Sequence, residues 1–216
     1  MTRRKLPFAS AHTGTRTKLL DAAVTLVRQK GFAATSIDDL CRHAGVTKGA
    51  FFHHFASKEA LGVAAANHWS ATTAALFANA AYHEPADPLE RVFGYLDFRR
   101  DLIAGDVADF TCLAGTMAQE VHASGPAIAD ACSESIVGHA MTLVPDIEAA
   151  FADHGVDGIA PLGMALHFQA VLQGSFILAK ATGDAAHSRD GIALLERYVA
   201  MLCNVAIPRR SKGNSA

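Results

Sequence analysis

No stretch of this chain sustains the apolar–polar alternation of a half-buried strand, and no Asn-Gly or Asp-Gly pair joins two such runs. Instead, Ala-rich stretches with helical apolar spacing follow one another, broken by short Gly, Pro and Ser punctuation. The pattern predicts an all-α fold. Helices are expected at about 15–31, 37–44, 48–54, 58–81, 88–104, 108–123, 126–154, 160–183 and 189–206. No repeat of solenoid length is present. At 216 residues, half of them apolar, the chain can bury a real core and suits one compact body plus a small module.

Charge is distributed unevenly. Residues 1–58 carry ten Lys/Arg against three Asp/Glu, a net +7. Residues 59–207 carry six against eighteen, a net −12. A basic head on an acidic body predicts that only the head meets a polyanion. No uncharged apolar run is expected to reach the roughly 18 residues of a membrane span, and the first residues lack the apolar stretch of a secretory signal. The expected location is the cytoplasm. Cys41, Cys112, Cys132 and Cys203 form no Cys-x-x-Cys pair and have no His at zinc-ligand spacing, so free thiols are expected.

The head has clear start and stop signals. Leu19, Leu20, Ala23, Leu26 and Val27 form one apolar stripe, and Gly31 stands where a left-handed residue would end the helix. Ser36 and Asp39 have capping-box spacing. Ala44-Gly45-Val46 reads as a tight turn, Thr47 as the cap of a short second helix, and Ser57 as the cap of a third with Glu59 in its first turn. Ile37, Leu40, Cys41, Val46, Phe51 and Phe55 can converge on Leu20, Val24 and Leu61. That leaves Thr47, Lys48, Gly49, Phe52 and His53 facing outward. Two short helices around a Gly-containing turn, with the second exposed, make a helix-turn-helix. Gly49 permits close approach to DNA, and Lys48 supplies charge at the first turn.

The stretch 17–61 resembles the DNA-binding domain of the TetR/AcrR family of repressors. Gly31-Phe32, Thr35-Ser36, Ala44-Gly45-Val46, Lys48-Gly49, His54-Phe55 and Ser57-Lys58-Glu59 carry the resemblance. It implies that Thr35, Ser36, Phe52, His53 and Lys58 meet phosphates or sugars, and that Thr47, Lys48, Gly49 and Ala50 lie nearest the base edges. The family usually has Tyr at position 52; Phe52 lacks the hydroxyl, and the Arg3-Arg4-Lys5 arm is a candidate source of compensating attraction. The organisation expected is a basic arm at 1–13, the helix-turn-helix domain at 14–60, a helical ligand-binding and dimerisation domain at 61–207, and a tail at 208–216.

Within the larger domain the resemblance makes the helices at 160–183 and 189–206 a homodimer interface, with Ala165, Ala170, Gly174 and Ala179 permitting close approach. The alternative is that both only fill the monomer core. Residues 110–120 mix small and polar side chains. With Phe93, Leu96, Phe98, Met141, Phe168 and Phe176 they are candidates to line a cavity for a small-molecule inducer, Cys112, Thr116 and Lys180 among its polar groups. Ordinary core packing is the competing reading for each. Cys112-Leu113-Ala114-Gly115 and the Gly174–Lys180 stretch resemble a TetR branch that includes electrophile- and oxidant-responsive repressors; the competing reading is a buried, inert thiol.

No P-loop, Gly-x-Gly-x-x-Gly, His-Glu-x-x-His or Ser-His-Asp order is present, so no enzyme is expected. Neither a cofactor nor a metal is called for, although His122, His139 and His167 could meet in the fold. The function expected is a ligand-responsive repressor that binds a palindromic operator as a dimer. An architectural DNA binder without a ligand is the other DNA-binding class.

Overall fold

The computed structural model describes residue 6 and residues 14–207. The expected arm and tail, Arg3-Arg4-Lys5 included, lie outside these. The described residues contain helices and no strand. In order they are α1 (Thr15–Lys30), α2 (Ile37–Ala44), α3 (Lys48–His54), α4 (Lys58–Ala78), α5 (Pro88–Asp101), α6 (Val107–Phe110), α7 (Leu113–Val121), α8 (Pro126–Met141), α9 (Val144–His154), α10 (Pro161–Thr182) and α11 (Ala186–Leu202), with one 3-10 turn at Ala81–His83.

Two expected helices are each split. The stretch 126–154 breaks between Met141 and Val144, where Pro145 has no N–H to offer Met141 and its ring would crowd that carbonyl. The stretch 108–123 breaks at Thr111-Cys112. Cys112 is extended (φ −81°, ψ 127°), and its Sγ accepts the Gly115 N–H at 3.3 Å, so it caps α7 instead of lying within a helix. α10 also corrects an expectation. It is long and apolar enough, by length and composition, to cross a membrane, and residues 158–179 carry no Asp, Glu, Lys or Arg. Its buried face packs on α11, α9 and α6.

The chain divides into two compact units. The first holds residues 14–77 and 111–139, so α7 and α8 belong with the helix-turn-helix. Its core joins Leu19, Val24 and Val27 of α1 to Leu40, Phe51, Leu61, Met117 and Ile128. Gly62 of α4 lies where a Cβ would collide with Ile128 and Phe32, so the missing side chain lets these elements close up. Polar contacts add register. His68 Nε2 and Asp21 Oδ1 are 2.8 Å apart, and the Arg28 guanidinium stands 5.3 Å over the Trp69 ring.

The second unit holds residues 78–110 and 140–207. Here α10 and α11 form an antiparallel pair, and α5 packs on both α9 and α11. Tyr95 stacks on Phe168 at 6.3 Å, and Phe110 meets Phe176 at 6.1 Å. Arg100 pairs with Glu196 and Arg91 with Asp146, tying α5 to α11 and α9. Burial pushes the Glu196 carboxyl above its ordinary value despite the guanidinium beside it.

Candidate DNA-binding surface

The helix-turn-helix is built by caps and one small core. Ser36 and Asp39 form a complete capping box: the Ser36 Oγ accepts the Asp39 N–H, and the Asp39 carboxylate accepts the Ser36 N–H, both at 3.1 Å. Lys30 reaches the same carboxylate at 2.7 Å. Lys30 and Ser36, with Arg42, hold the Asp39 carboxyl well below the usual carboxylate range. Gly45 is left-handed (φ 65°, ψ 39°) and turns the chain into α3. Thr47 then caps α3 by accepting the Ala50 N–H at 3.1 Å, and Ser57 accepts the Ala60 N–H at 3.1 Å at the start of α4. Glu59 is held below its ordinary value by its own N–H and by Ser57. Gly31 ends α1 with φ 90° and ψ 161°, a positive φ but not the left-handed helical conformation expected.

α3 has two faces. Phe51 is completely buried and Phe55 nearly so, which fixes the helix against the core. Thr47, Lys48, Gly49, Phe52 and His53 are exposed, as expected, with Ala50 half-buried beside them. Phe52 stands 50% exposed, a large apolar ring held in water next to a fully buried one. Beyond Gly49 nothing but the Thr47 hydroxyl comes within 4 Å of where a Cβ would be, so this edge is open to a partner's backbone.

Three expected phosphate contacts are engaged inside the protein. Thr35 is only 1% exposed and donates its hydroxyl to the Gly31 carbonyl at 2.6 Å, so its side chain is an internal brace and not a phosphate ligand. The exposed Ser36 hydroxyl is committed to Asp39 as both donor and acceptor. Lys58 donates to the Ala33 carbonyl at 3.2 Å and lies over the Phe32 ring, though an ammonium keeps further protons to offer. Lys48 pairs with Asp38 at 3.1 Å, both side chains more than half exposed, a weak, solvent-screened tether.

Residues 19–65 match the model of the TetR family of bacterial regulatory proteins. The helix-turn-helix segment belongs to the TetR family. This TetR-family head is 44% identical over 52 residues to the transcriptional repressor KstR2 of Rhodococcus jostii, an alignment covering 24% of this chain and 26% of KstR2. It is 46% identical over 50 residues to the repressor NemR of Escherichia coli, covering 23% and 25% of the two chains. Only about a quarter of each relative's length is thus matched. The likeness in fold extends further. A TetR-family regulator from Agrobacterium tumefaciens superposes with a TM-score of 0.74 at 24% identity, over 85% of this chain and 96% of that one. The reduced form of E. coli NemR superposes with a TM-score of 0.70 at 24% identity, over 90% and 99%.

The candidate ligand residues do not form one set. Phe93, Leu96, Phe168 and Phe176 are buried together in the second unit. Met141 is 59% exposed and Lys180 is exposed, so neither lines that core. Cys112 and Thr116 belong to the first unit, where the Thr116 hydroxyl donates to the Cys112 carbonyl at 2.9 Å. A polar spot inside the second unit went unforeseen: Arg99 donates to the buried Tyr95 hydroxyl at 2.9 Å, and Gln169 does so at 3.3 Å. The Tyr95/Arg99 spacing of one helical turn was the available signal. His139 packs on Phe77 and His167 on Tyr198. Among the described residues no cluster of His, Cys, Asp and Glu could hold a metal ion, so His122, His139 and His167 do not converge on one.

Proposed function

We propose that this chain is a cytoplasmic, homodimeric transcriptional repressor that grips a palindromic operator through α2 and α3 and is released by a small molecule or a thiol-reactive compound. One observation carries the reading. α3 is pinned by Phe51 and Phe55 while Thr47, Lys48, Gly49, Phe52 and His53 point into solvent at the end of a basic module. That is the arrangement of a recognition helix, whose first turn meets base edges while flanking groups meet phosphates. The repressor names carried by KstR2 and NemR support the sign of regulation.

The outer face of α10 and α11 supports the dimer reading. Leu166, Ile177, Leu178, Leu194 and Met201 are all exposed there. Ala170 is exposed beside them, and no atom lies within 4 Å of a Cβ built at Gly174. Ala165 and Ala179 instead face inward. Contiguous exposed apolar residues mark an association surface, and small residues let a second helix approach. Two heads are also needed, because one seven-residue recognition helix reads too few base pairs to be specific.

The test is selection of duplexes from a random-sequence library, with sedimentation of the free protein. The expected result is a dimer and an enriched palindrome with half-sites about 34–36 Å apart or a multiple. Affinity should fall with salt at about −0.9 in log–log slope per neutralised phosphate. A monomer at micromolar concentration that enriches no sequence sinks the proposal. A candidate inducer that lowers operator affinity 100-fold must itself bind about 2.7 kcal/mol more weakly to the operator complex, since coupling is reciprocal.

A further inference from the structure

We infer that Glu120 is a positioning residue for DNA binding: from the end of α7 its carboxylate holds the α1–α2 connection in the shape that sets the helix-turn-helix. This rests on the reading of α2 and α3 as the DNA-binding elements.

The connection, residues 31–36, is irregular, and its backbone groups need partners. Ala33 shows how they are found. Its N–H donates to Glu120 Oε2 at 2.8 Å, and its carbonyl accepts from Lys58 Nζ at 3.2 Å. Both groups of one residue are therefore gripped by side chains from outside α2 and α3, one from α7 and one from α4. Gly31 makes the α7 grip possible. A Cβ at that position would collide with the Glu120 carboxylate, and the φ of 90° already disfavours any side chain.

α7 is a firm base for this contact. Leu113 and Met117 are fully buried and Val121 is 7% exposed, at the spacing of one helix face. Glu120 itself is exposed and fills no core position, so its side chain can be changed without opening a cavity. It also lies far outside the matched segment 19–65, which is why the resemblance of the head does not reveal it.

Electrostatics gives the inference a sign that separates it from a passive surface charge. The first 58 residues carry a net +7, and a carboxylate beside them opposes attraction to phosphate. By charge alone, removing Glu120 would tighten binding to every duplex. By positioning, it must weaken binding to the preferred duplex and leave random duplex unchanged or tighter.

The experiment compares wild type, Glu120→Ala and Glu120→Gln on two probes at fixed salt: a duplex enriched by wild type from a random library, and a random duplex of equal length. Glu120→Ala should lose about three- to tenfold on the enriched duplex, the net scale of one solvent-exposed hydrogen bond, with no loss on the random one. Glu120→Gln, whose amide oxygen can still accept the Ala33 N–H, should recover most of the loss. Hydrogen exchange at the Ala33 amide, read without DNA, should be faster in Glu120→Ala than in wild type. Unchanged exchange, or equal gain on both duplexes, would overturn the inference. A wild type that enriches no duplex would overturn the DNA reading itself, and this inference with it.

Discussion

Lys58 Nζ sits 3.2 Å from the Ala33 carbonyl oxygen and 4.6 Å from the centre of the Phe32 ring. The lysine expected to touch phosphate is thus also a clasp on the α1–α2 connection. Its replacement should therefore show two effects. Lys58→Ala should weaken binding to specific and random duplexes alike and reduce the salt slope by about one unit. It should also lower the melting temperature slightly, because the clasp is lost. An unchanged salt slope with a lowered melting temperature would assign Lys58 to the clasp alone. Fluorescence anisotropy over a salt series checks the first effect and thermal melts the second.

Lys48 should behave differently. Its tether to Asp38 is solvent-exposed and contributes little, so the side chain is available to a base edge. Lys48→Ala should change the preferred sequence at one base pair by about 1–3 kcal/mol of discrimination. Repeating the duplex selection with the variant tests this. An equal loss on preferred and random DNA would mean that Lys48 also touches only phosphate.

Phe51 and Phe52 are neighbours with opposite roles. Phe51 is 0% exposed, so Phe51→Ala should cost about 3–5 kcal/mol of stability, measured by denaturant unfolding. Phe52, half exposed, should be nearly neutral in the same measurement when changed to Ala, while DNA affinity falls. Loss of stability in both would show that Phe52 packs inside the module.

The capping box should make the head acid-sensitive. Lys30 first, then Ser36, lowers the Asp39 carboxyl in the folded state. A depressed folded value favours the ionised form, so its stabilisation is complete above the unfolded value of about 3.9 and disappears as pH falls through and below it. Asp39→Asn should melt below wild type at neutral pH, and the gap should close as pH drops below about 4. A gap independent of pH would show that the carboxylate charge contributes nothing.

Thiol reagents should distinguish the four cysteines. Cys41, Cys132 and Cys203 are buried, and burial pushes each thiol up, Cys132 to about 12. Cys112 is half-buried, at the cap of α7. Brief treatment of the native protein with N-ethylmaleimide should give one adduct, at Cys112, by peptide mass spectrometry. Operator release that survives Cys112→Ser would show that the thiol is not the signal.

Local chemistry determined a great deal here before any packing. Ser36-x-x-Asp39, Gly45, Thr47 and Ser57 set helix ends through contacts four residues apart or less, and Phe51 and Phe55 follow from helical spacing alone. Those features are short-range, so they can be read in chain order. Failures of the sequence expectations came where range or direction mattered. Pro145 splits a long apolar run that periodicity alone treats as continuous. Thr35 turns inward because the carbonyl it satisfies, that of Gly31, lies behind it. Glu120 reaches Ala33 across 87 positions, and Lys58 reaches it across 25. No spacing rule encodes such contacts, because the burial of Leu113 and Met117 in the shared core, not the order of the chain, brings α7 to the helix-turn-helix.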